Sequence, residues 1–376
     1  MWVYGLPFQN GVVFHDKDSN TLRFSLRKID FGYAIKGEIP VSFKRVEVFK
    51  VKADSAQVFG KMCVVGPDFV VGFLKHNGGI IEIEKQKDYL VGYLNCYKEG
   101  FEERSCSEAS FVILQGYKRE FLLKEYLRLV ARENEIVLTP SSSFTVLTAG
   151  FRDLDQRIFE AKNCGCQVLL LRELEGSLED FVRKCRNNGL LAGIEVEFEP
   201  VFLEKLRKHG FQFFEVFFEE NDRNHVEKAR QVLKDLVLVA KGVSPLTTIA
   251  LTDGLVLKNA KMSLQDLVKN SLLQKITPLY VEVDDFTEEW LKVCGALGYG
   301  VIFNKRADKV DYAKVSCVGK VYAQQCEIIY LDKNNVHKKF LVSKDSLRTE
   351  DELASRLVKH TKLRQDGRFF HFYDER

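Results

Sequence analysis

Three apolar runs between Gly189 and Asn259 decide the fold of this chain: LLAGIEVEFE at 190–199, FQFFEVFF at 211–218 and DLVLVAKG at 235–242. Two short helical patterns separate them, and the segment SPLTTIALTDGLVLKN follows at 244–259. Parallel strands must be joined by crossovers, so strands that alternate with helices at this spacing predict a parallel sheet. We expect the sheet to close into an α/β barrel, with any chemistry at the carboxyl ends of the strands.

The alternation extends on both sides of this stretch. Working outward, about eight strands can be counted between Pro140 and Lys305. One of them is predicted either at Thr248–Leu251 or at Leu255–Leu257. The span is short beside the ~250 residues of a typical barrel of this type, so we expect either trimmed helices or an incomplete barrel.

The flanking sequence is rich in β-strand patterns. Residues 1–118 contain many short alternating runs with turn signals between them, which predicts an antiparallel β-sandwich. Residues 119–139 contain the helical pattern FLLKEYLRLVAREN, interpreted as a linker helix. After the shortened TIM-like (β/α)8-type barrel at 140–305, residues 306–376 return to β and predict a small antiparallel domain with one helix at 350–360.

Composition is that of an ordinary globular protein. The 376 residues are 45% hydrophobic and 29% charged, and the formal net charge is +3, with basic and acidic residues interspersed. This charge pattern does not favour a nucleic-acid partner. There is no signal-peptide pattern and no apolar run of ~20 residues, so we expect no membrane partner and a cytoplasmic location.

The nine cysteines do not form a disulfide framework. Cys164 and Cys166 are one residue apart, which is too close for the usual zinc or redox pair, and no second pair follows. We therefore expect buried thiols, no metal site and no cofactor; a phosphate-binding glycine loop is also missing.

Carboxylates are concentrated at the ends of the predicted barrel strands. Glu195, Glu197 and Glu199 share one side of their strand because side chains alternate with period two. If they crowd the barrel mouth, at least one pKa should rise. Alternatively, Glu199 and Glu197 are solvated and Glu195 pairs with a Lys or Arg inside the barrel. Glu215 should likewise be paired or neutral.

The order of these domains and several segments resemble a known family. YGLPFQNGVVF, LLKEYLRLVAREN, NNGLLAGIEVEF, KHGFQFFEVFF, SPLTTIALTDG and QDGRFFHFYDER are similar, in the same order, to segments of the melibiase-type α-galactosidases of glycoside hydrolase family thirty-six. The match is weak at each residue but collinear over nearly the whole chain. The resemblance implies a retaining glycosidase, which uses a nucleophilic and an acid/base carboxyl ~5 Å apart.

Both catalytic groups that the resemblance implies are replaced in this chain. The nucleophile position is occupied by Phe217 and the lysine two residues before it by Glu215, while the acid/base position falls on Ala260, or on Asn259 with a one-residue gap. Phenylalanine cannot form a glycosyl ester, and neither Ala nor Asn can donate a proton in this way.

The sugar-binding positions of the family differ as well. The paired Asp residues that hold the galactose hydroxyls fall on Arg172 and Glu173, and the Trp positions fall near 143–146 and 62–65, where no Trp occurs. As ligand-binding candidates we name Arg172, Glu173, Glu195 and Glu215.

Three hypotheses of function follow. The first is a pseudoenzyme: an α-galactosidase-like protein without glycosidase catalysis, retained to bind carbohydrate, to act as a scaffold or to regulate. Its partners would be a carbohydrate, a second copy in a homo-oligomer, or a related enzyme. The second is an active glycoside hydrolase acting on α-galactosides or related sugars through displaced carboxylates, with Glu173, Glu195, Glu197 and Asp253 as candidates. The third is an interaction protein whose barrel mouth is filled by Phe217 and Phe218.

Overall fold

The structure is a computed structural model. It describes residues 21–37, 45–77, 80–95, 108–136, 144–164, 166–219, 221–257, 264–283 and 299–304, together with positions 294 and 297 and the backbone of short strands nearer both termini. The statements below refer to these residues.

The first third of the chain forms two antiparallel sheets, as predicted. One has the strand order β1-β6-β11-β10 and the other β2-β3-β4-β5-β12-β9-β8-β7. The strands are β1 Trp2–Val3, β2 Leu6–Phe8, β3 Gly11–His15, β4 Thr21–Ile29, β5 Gly32–Gly37, β6 Arg45–Lys52, β7 Gln57–Phe59, β8 Cys63–Val65, β9 Phe69–Asn77, β10 Ile80–Gln86, β11 Tyr89–Asn95 and β12 Glu108–Gln115. A 3-10 helix, Ala53–Ser55, follows β6.

The predicted linker helix is α1, Arg119–Glu133. Its apolar stripe is buried against the sheets, with Leu122, Tyr126 and Val130 fully covered. The Tyr126 hydroxyl donates to the carbonyl oxygen of Phe73 in β9. The stripe therefore packs within the core, as the helical spacing indicated.

The barrel is complete. Eight parallel strands close in the order β13 to β20, and the last pairs with the first. They are β13 Thr145–Ala149, β14 Val168–Leu171, β15 Leu191–Glu197, β16 Phe213–Phe217, β17 Val237–Lys241, β18 Gly254–Leu257, β19 Leu279–Val283 and β20 Gly300–Phe303. The prediction of a strand at Leu255–Leu257 is confirmed, whereas the alternative at Thr248–Leu251 is wrong because a helix ends and a turn follows there.

Short helices account for the small size of the barrel, so the trimmed-helix alternative is correct. They are α2 Leu154–Cys164, α3 Leu178–Asn187, α4 Pro200–His209, α5 Arg223–Leu233, α6 Pro245–Thr248 and α7 Leu264–Asn270, followed by a 3-10 helix at Ser271–Lys275. Each helix from α3 to α6 begins with a side-chain cap, from Ser177, Glu199, Asp222 and Ser244 respectively. The only helix that the structure describes in the link from β17 to β18, residues 242–253, is the four-residue α6.

An apolar cluster fills the lower part of the barrel interior. It consists of Val146, Val168, Leu170, Phe213, Val239, Val256, Tyr280 and Ile302. Tyr280 is 1% exposed, and its hydroxyl accepts a hydrogen bond from the backbone N–H of Phe144. Its ring lies between Gly254 and Gly300, where an added Cβ would come within 2.4 and 2.3 Å of it. The two glycines therefore make room for the tyrosine in the barrel floor.

Beyond the barrel, the described backbone is again antiparallel. One sheet contains β21 Lys314–Val321, β22 Gln325–Leu331, β23 His337–Ser343 and β24 Leu347–Glu350, and a hairpin contains β25 Lys362–Asp366 and β26 Phe369–Tyr373. The helix predicted at 350–360 lies outside the described residues, apart from its first position, which ends β24.

Two predictions about the chain as a whole can be compared with the structure. The side chains of Cys63, Cys166, Cys185 and Cys294 are buried, as expected for these four positions. Of the helices that the structure describes, none has the length and apolar character needed to cross a membrane.

We expect Gly300→Ala to lower the free energy of unfolding by about 1–3 kcal/mol, because the new methyl group would overlap the buried Tyr280 ring. Chemical denaturation measures this change. Gly150→Ala is the matched control, since its Cβ would meet only the carboxylate of the exposed Glu173, at 3.1 Å. Equal stability of the two variants would show that the floor is not closed by Tyr280.

Candidate functional site in the barrel mouth

A charged layer lies directly above the apolar floor. Side chains alternate along a strand, so residues two positions after those of the apolar cluster also face the interior. The inward residues at this level include Arg172, Glu195, Glu215, Lys241, Glu282 and Asn304. We call these six residues the mouth layer.

Lys241, the last residue of β17, lies at the centre of the layer. Its Nζ is 2.9 Å from Oε1 of Glu195, 2.9 Å from Oε1 of Glu215 and 3.2 Å from Oε2 of Glu282. The three carboxylates come from β15, β16 and β19, so a single ammonium group joins strands on several sides of the barrel. This arrangement confirms the expectation that Glu195 and Glu215 pair with a cation.

Arg172 provides the second cation. Its guanidinium donates to Oδ1 of Asn304 at 2.5 Å and to Oε1 of Glu282. Its Nε lies 2.5 Å from Oε2 of Glu195, in an ion pair without hydrogen-bond alignment. Asn304 also donates to Glu282, at 3.1 Å, which closes the network.

Glu215 is the deepest member of the layer. Its side chain is 0% exposed, and its Oε2 has no hydrogen-bond partner among the described residues. Burial raises the pKa of Glu215, and the negative charge of Glu195 adds to the rise, to about 7 despite the opposing effect of Lys241 and Arg172. Glu215 is therefore the carboxyl of the layer that can hold a proton at neutral pH.

Glu282 and Lys241 are held in their ionised forms by their neighbours. Burial opposes ionisation of Glu282, but Arg172, Lys241 and Asn304 outweigh it and lower the pKa of this carboxyl. Burial also acts against the charge of Lys241, yet Glu215 and Glu195 raise the pKa of the ammonium group above its ordinary value. Lys241 is consequently not an amine nucleophile, which would need a lowered pKa.

Phe217, the residue that the resemblance aligns with the family nucleophile, lies at the rim. It is the last residue of β16 and is partly buried. An added Cβ on Gly242, which has φ of +93°, would lie 3.0 Å from its ring and 2.4 Å from the carbonyl oxygen of Phe218. Glycine at this position therefore lets the turn after β17 pass close to the end of β16.

Phe218 does not fill the mouth. It is 1% exposed and stacks on Phe198, which in turn contacts the ring of His225 in α5. Its neighbours therefore include the helix layer outside the barrel, because adjacent residues point to opposite sides of a strand. The hypothesis that Phe217 and Phe218 together fill the mouth is therefore wrong for Phe218.

Loops of the sandwich and the barrel meet beside the mouth. Lys61 Nζ donates to the carbonyl oxygen of Gly242 at 2.9 Å. Asn221 accepts from the Ser244 N–H at 2.7 Å and donates to the carbonyl oxygen of Ile81 in β10 at 2.9 Å. Asn221 thus joins the loops after β16 and β17 to the sandwich.

The displaced carboxylates named from the sequence do not all converge. Glu195 belongs to the mouth layer, and Glu197 is exposed two residues further along β15. Glu173 is exposed beyond β14, near Gly150. Asp253 precedes β18 and so lies at the opposite end of the barrel, where its Oδ2 accepts from Arg230 at 2.6 Å and from the Leu238 N–H at 2.8 Å. It cannot act at the mouth.

The remaining candidate positions from the sequence lie away from the mouth layer or outside the described residues. Asn259 and Ala260 lie outside the described residues. Residues 62–65, one of the Trp positions of the resemblance, are buried in the sandwich core, and Val146 is part of the barrel floor. Glu199 is the N-cap of α4 and accepts from the Phe202 N–H at 2.8 Å.

Sequence reasoning did not single out Glu282 or Asn304. Glu282 is the one charged residue of the run LYVEV. A single charge in an otherwise apolar barrel strand indicates a side chain that faces the barrel interior. Asn304 directly follows β20 and carried no comparable signal.

The geometry resembles a catalytic pair in one respect and differs in another. The oxygens of Glu195 and Glu215 that bind Lys241 lie no more than about 6 Å apart, a range that includes the ~5 Å of retaining glycosidases. However, an ammonium group lies between them, and Glu215 is wholly covered. A carboxyl with no exposed surface cannot contact a glycosidic oxygen without rearrangement.

Comparisons with known proteins agree with this fold. No protein-family model and no curated protein matches the chain. Among solved structures, the α-galactosidase of Thermus thermophilus in complex with p-nitrophenyl α-D-galactopyranoside has a TM-score of 0.54 at 11% identity, covering 82% of this chain and 96% of that chain.

Two further solved structures have TM-scores below 0.5. The same Thermus enzyme in complex with stachyose has a TM-score of 0.48 at 11% identity, and the match covers 78% of this chain and 95% of that chain. Thiamine phosphate pyrophosphorylase from Pyrococcus furiosus has a TM-score of 0.34 at 14% identity, and the match covers 46% of this chain and 92% of that chain. The match with a TM-score of 0.54 shows that the chain has an α-galactosidase-like fold, a TIM barrel with β-rich domains.

We expect Lys241→Gln to lower the free energy of unfolding by about 3–5 kcal/mol at pH 8, because it leaves three carboxylates together with one cation. Lys208→Gln removes an ammonium group that is 69% exposed and 3.0 Å from Glu204, so it should change stability by less than about 1 kcal/mol. Urea titration of both variants makes the comparison. Similar small losses would mean that the mouth layer is not coupled through Lys241.

The stability of the native chain should fall as pH rises from about 4.5 to 7. The pKa of Glu215 is about 7 in the folded chain, so this group keeps a proton there that it loses in the unfolded chain, whose ordinary pKa is about 4.3. The contribution is at most about 4 kcal/mol and is fully present below the unfolded pKa. Denaturation between pH 4.5 and 8 measures it.

Glu215→Gln should flatten this dependence because an amide does not titrate. Glu204→Gln, on the exposed face of α4, should retain the slope of the native protein. A slope that survives in Glu215→Gln would assign the proton to another group.

Proposed function

We propose that this protein is a non-catalytic, carbohydrate-binding relative of the α-galactosidases. The observation that carries the proposal is the mouth layer, in which Glu195, Glu215 and Glu282 are all engaged by Lys241, and Glu195 and Glu282 also by Arg172. A glycosidase needs one carboxylate free to attack and one carboxyl free to donate a proton. Phe217 at the nucleophile position of the resemblance supports the same conclusion.

Binding remains chemically reasonable at this site. Arg172, Glu195 and Glu282 keep 28%, 25% and 18% of their side-chain surface exposed, so their polar atoms can reach a ligand above the layer. The partly buried ring of Phe217 lies at the same rim. Polar groups beside an aromatic ring suit a sugar, which has hydroxyl groups as well as apolar ring faces.

A second candidate is hydrolysis through Glu195 and Glu215. The short separation of these carboxyl groups and the raised pKa of Glu215 favour it, because a glycosidase acid must hold a proton near neutral pH. It requires Lys241 to leave its place between them and Glu215 to become accessible.

An assay with nitrophenyl α-galactoside and a panel of other nitrophenyl glycosides separates the two candidates. We expect no turnover above that of buffer, together with a rise in melting temperature on addition of galactose, since a ligand that binds only the folded state stabilises it. Turnover that Glu195→Gln abolishes and Glu204→Gln retains would instead establish hydrolysis. Absence of both turnover and a thermal shift across the panel would contradict the carbohydrate proposal.

A further inference from the structure

A second cluster of charged side chains lies outside the mouth layer, where the sandwich, the linker helix and the barrel meet. Gln57 begins β7 at the edge of the larger sandwich sheet, Arg119 is the first residue of α1, and Lys269 lies in the last turn of α7. The side-chain oxygen of Gln57 accepts hydrogen bonds from Nη2 of Arg119 at 2.9 Å and from Nζ of Lys269 at 3.0 Å. We call these three residues the junction cluster.

The two cations of the junction cluster lie close together. Because both donate to the same oxygen, Nη2 of Arg119 and Nζ of Lys269 are no more than about 6 Å apart. Like charges at this separation repel each other. The oxygen between them belongs to a neutral amide, so it bridges the two charges without neutralising either.

Neither cation has a carboxylate partner in the part of the chain that the structure describes. Glu120 and Asp266 are the acidic residues nearest to them in sequence, and neither forms an ion pair with Arg119 or Lys269. Burial lowers the pKa of Lys269, and the charge of Arg119 lowers it further, while the attraction of Asp266 does not outweigh these effects. The positive charge of the cluster is therefore left uncompensated.

Hydrogen-bond donors also remain available. A guanidinium group has five N–H donors and an ammonium group has three. Arg119 and Lys269 each use one of them on Gln57, and their other donors have no side-chain or backbone acceptor among the described residues. The cluster is thus rich in donors and poor in acceptors, which suits a ligand that carries several oxygens and negative charge.

Two neighbouring features strengthen the attraction for an anion. The 15-residue helix α1 begins without a side-chain cap, since its N-cap residue is Lys118, so the positive end of the helix dipole lies beside Arg119. Nζ of the half-buried Lys269 lies 5.8 Å from the ring centroid of Phe59, which is buried. An apolar ring on one side keeps water away and makes charge interactions stronger there.

We propose that the junction cluster binds a phosphate or sulfate group, held between Arg119 and Lys269 in place of the Gln57 oxygen. Arginine matches the oxygens of such a group with parallel hydrogen bonds, and lysine contributes a point charge. Because the two cations belong to the linker helix and to the barrel, the bound anion would stabilise the packing of these parts against the sandwich. This site is independent of the carbohydrate-binding function proposed above.

Thermal denaturation of the full chain tests the proposal, with inorganic phosphate added against chloride at constant ionic strength and pH 7. A ligand that binds only the folded state raises the melting temperature. We expect the rise to saturate, with half of it reached at a concentration on the order of 1 mM. Phosphate also stabilises proteins by exclusion from their surface, but we expect that effect to grow steadily without saturating in this range.

Three variants locate the site. Lys269→Gln and Arg119→Gln, at partly exposed positions, should each raise the half-saturating phosphate concentration at least tenfold. Lys208→Gln removes an ammonium group that is paired with Glu204 and should leave the concentration unchanged. In chloride alone, Lys269→Gln should melt at or above the temperature of the native chain, because the repulsion from Arg119 is gone.

Glycerol 3-phosphate separates two sources of the anionic group. Binding equal to or tighter than that of phosphate would assign the site to phosphorylated small molecules, and weaker binding would assign it to the free ion; both outcomes retain the site. A rise that never saturates, or one that persists unchanged in both Lys269→Gln and Arg119→Gln, would overturn the proposal. A melting temperature of Lys269→Gln in chloride well below that of the native chain would contradict the uncompensated repulsion on which it rests.

Discussion

The contact of Lys241 with three carboxylates is the interaction on which the upper half of the barrel depends. A parallel barrel forces every second residue of each strand inward, and in this chain those positions are apolar in the floor and charged in the layer above. Buried charges persist only with partners, and removing one partner costs more than the pair contributes. Glu195, Glu215 and Glu282 therefore require the ammonium group that they surround, and none of them is free to act alone.

The division between floor and mouth separates the packing that closes the barrel from the side chains that a ligand could contact. Packing around Tyr280 and its two flanking glycines closes the barrel without any contribution from the charged layer. Fold and function are separable for this reason, since function resides in side chains at the strand ends. Phe217 stands at the rim, where Gly242 leaves space for its ring.

Much of this arrangement could be predicted from the sequence, because period-two alternation fixes which side of a strand a residue faces. This alternation placed Glu195 and Glu215 inside the barrel, where they require a cation. It could not identify Lys241 and Arg172 as the cations, since the partners depend on the register between strands. Asp253 shows the limit most clearly: an error of a few residues in the strand boundary moved it from one end of the barrel to the other. Glu282 and Asn304 lie more than 80 residues from Glu195 in sequence, and only barrel closure brings them near.

Asn221 connects the sandwich to the loops around the barrel mouth through hydrogen bonds. Its side-chain oxygen accepts a hydrogen bond from the turn after β17, and its side-chain nitrogen donates one to the backbone of β10. Lys61 of the sandwich donates a hydrogen bond to the same turn. A rotation of the sandwich relative to the barrel would break these hydrogen bonds. Because Lys241 directly precedes Gly242, such a rotation would also move Lys241 away from the three carboxylates. These hydrogen bonds therefore link the position of Lys241 to the N-terminal sheets.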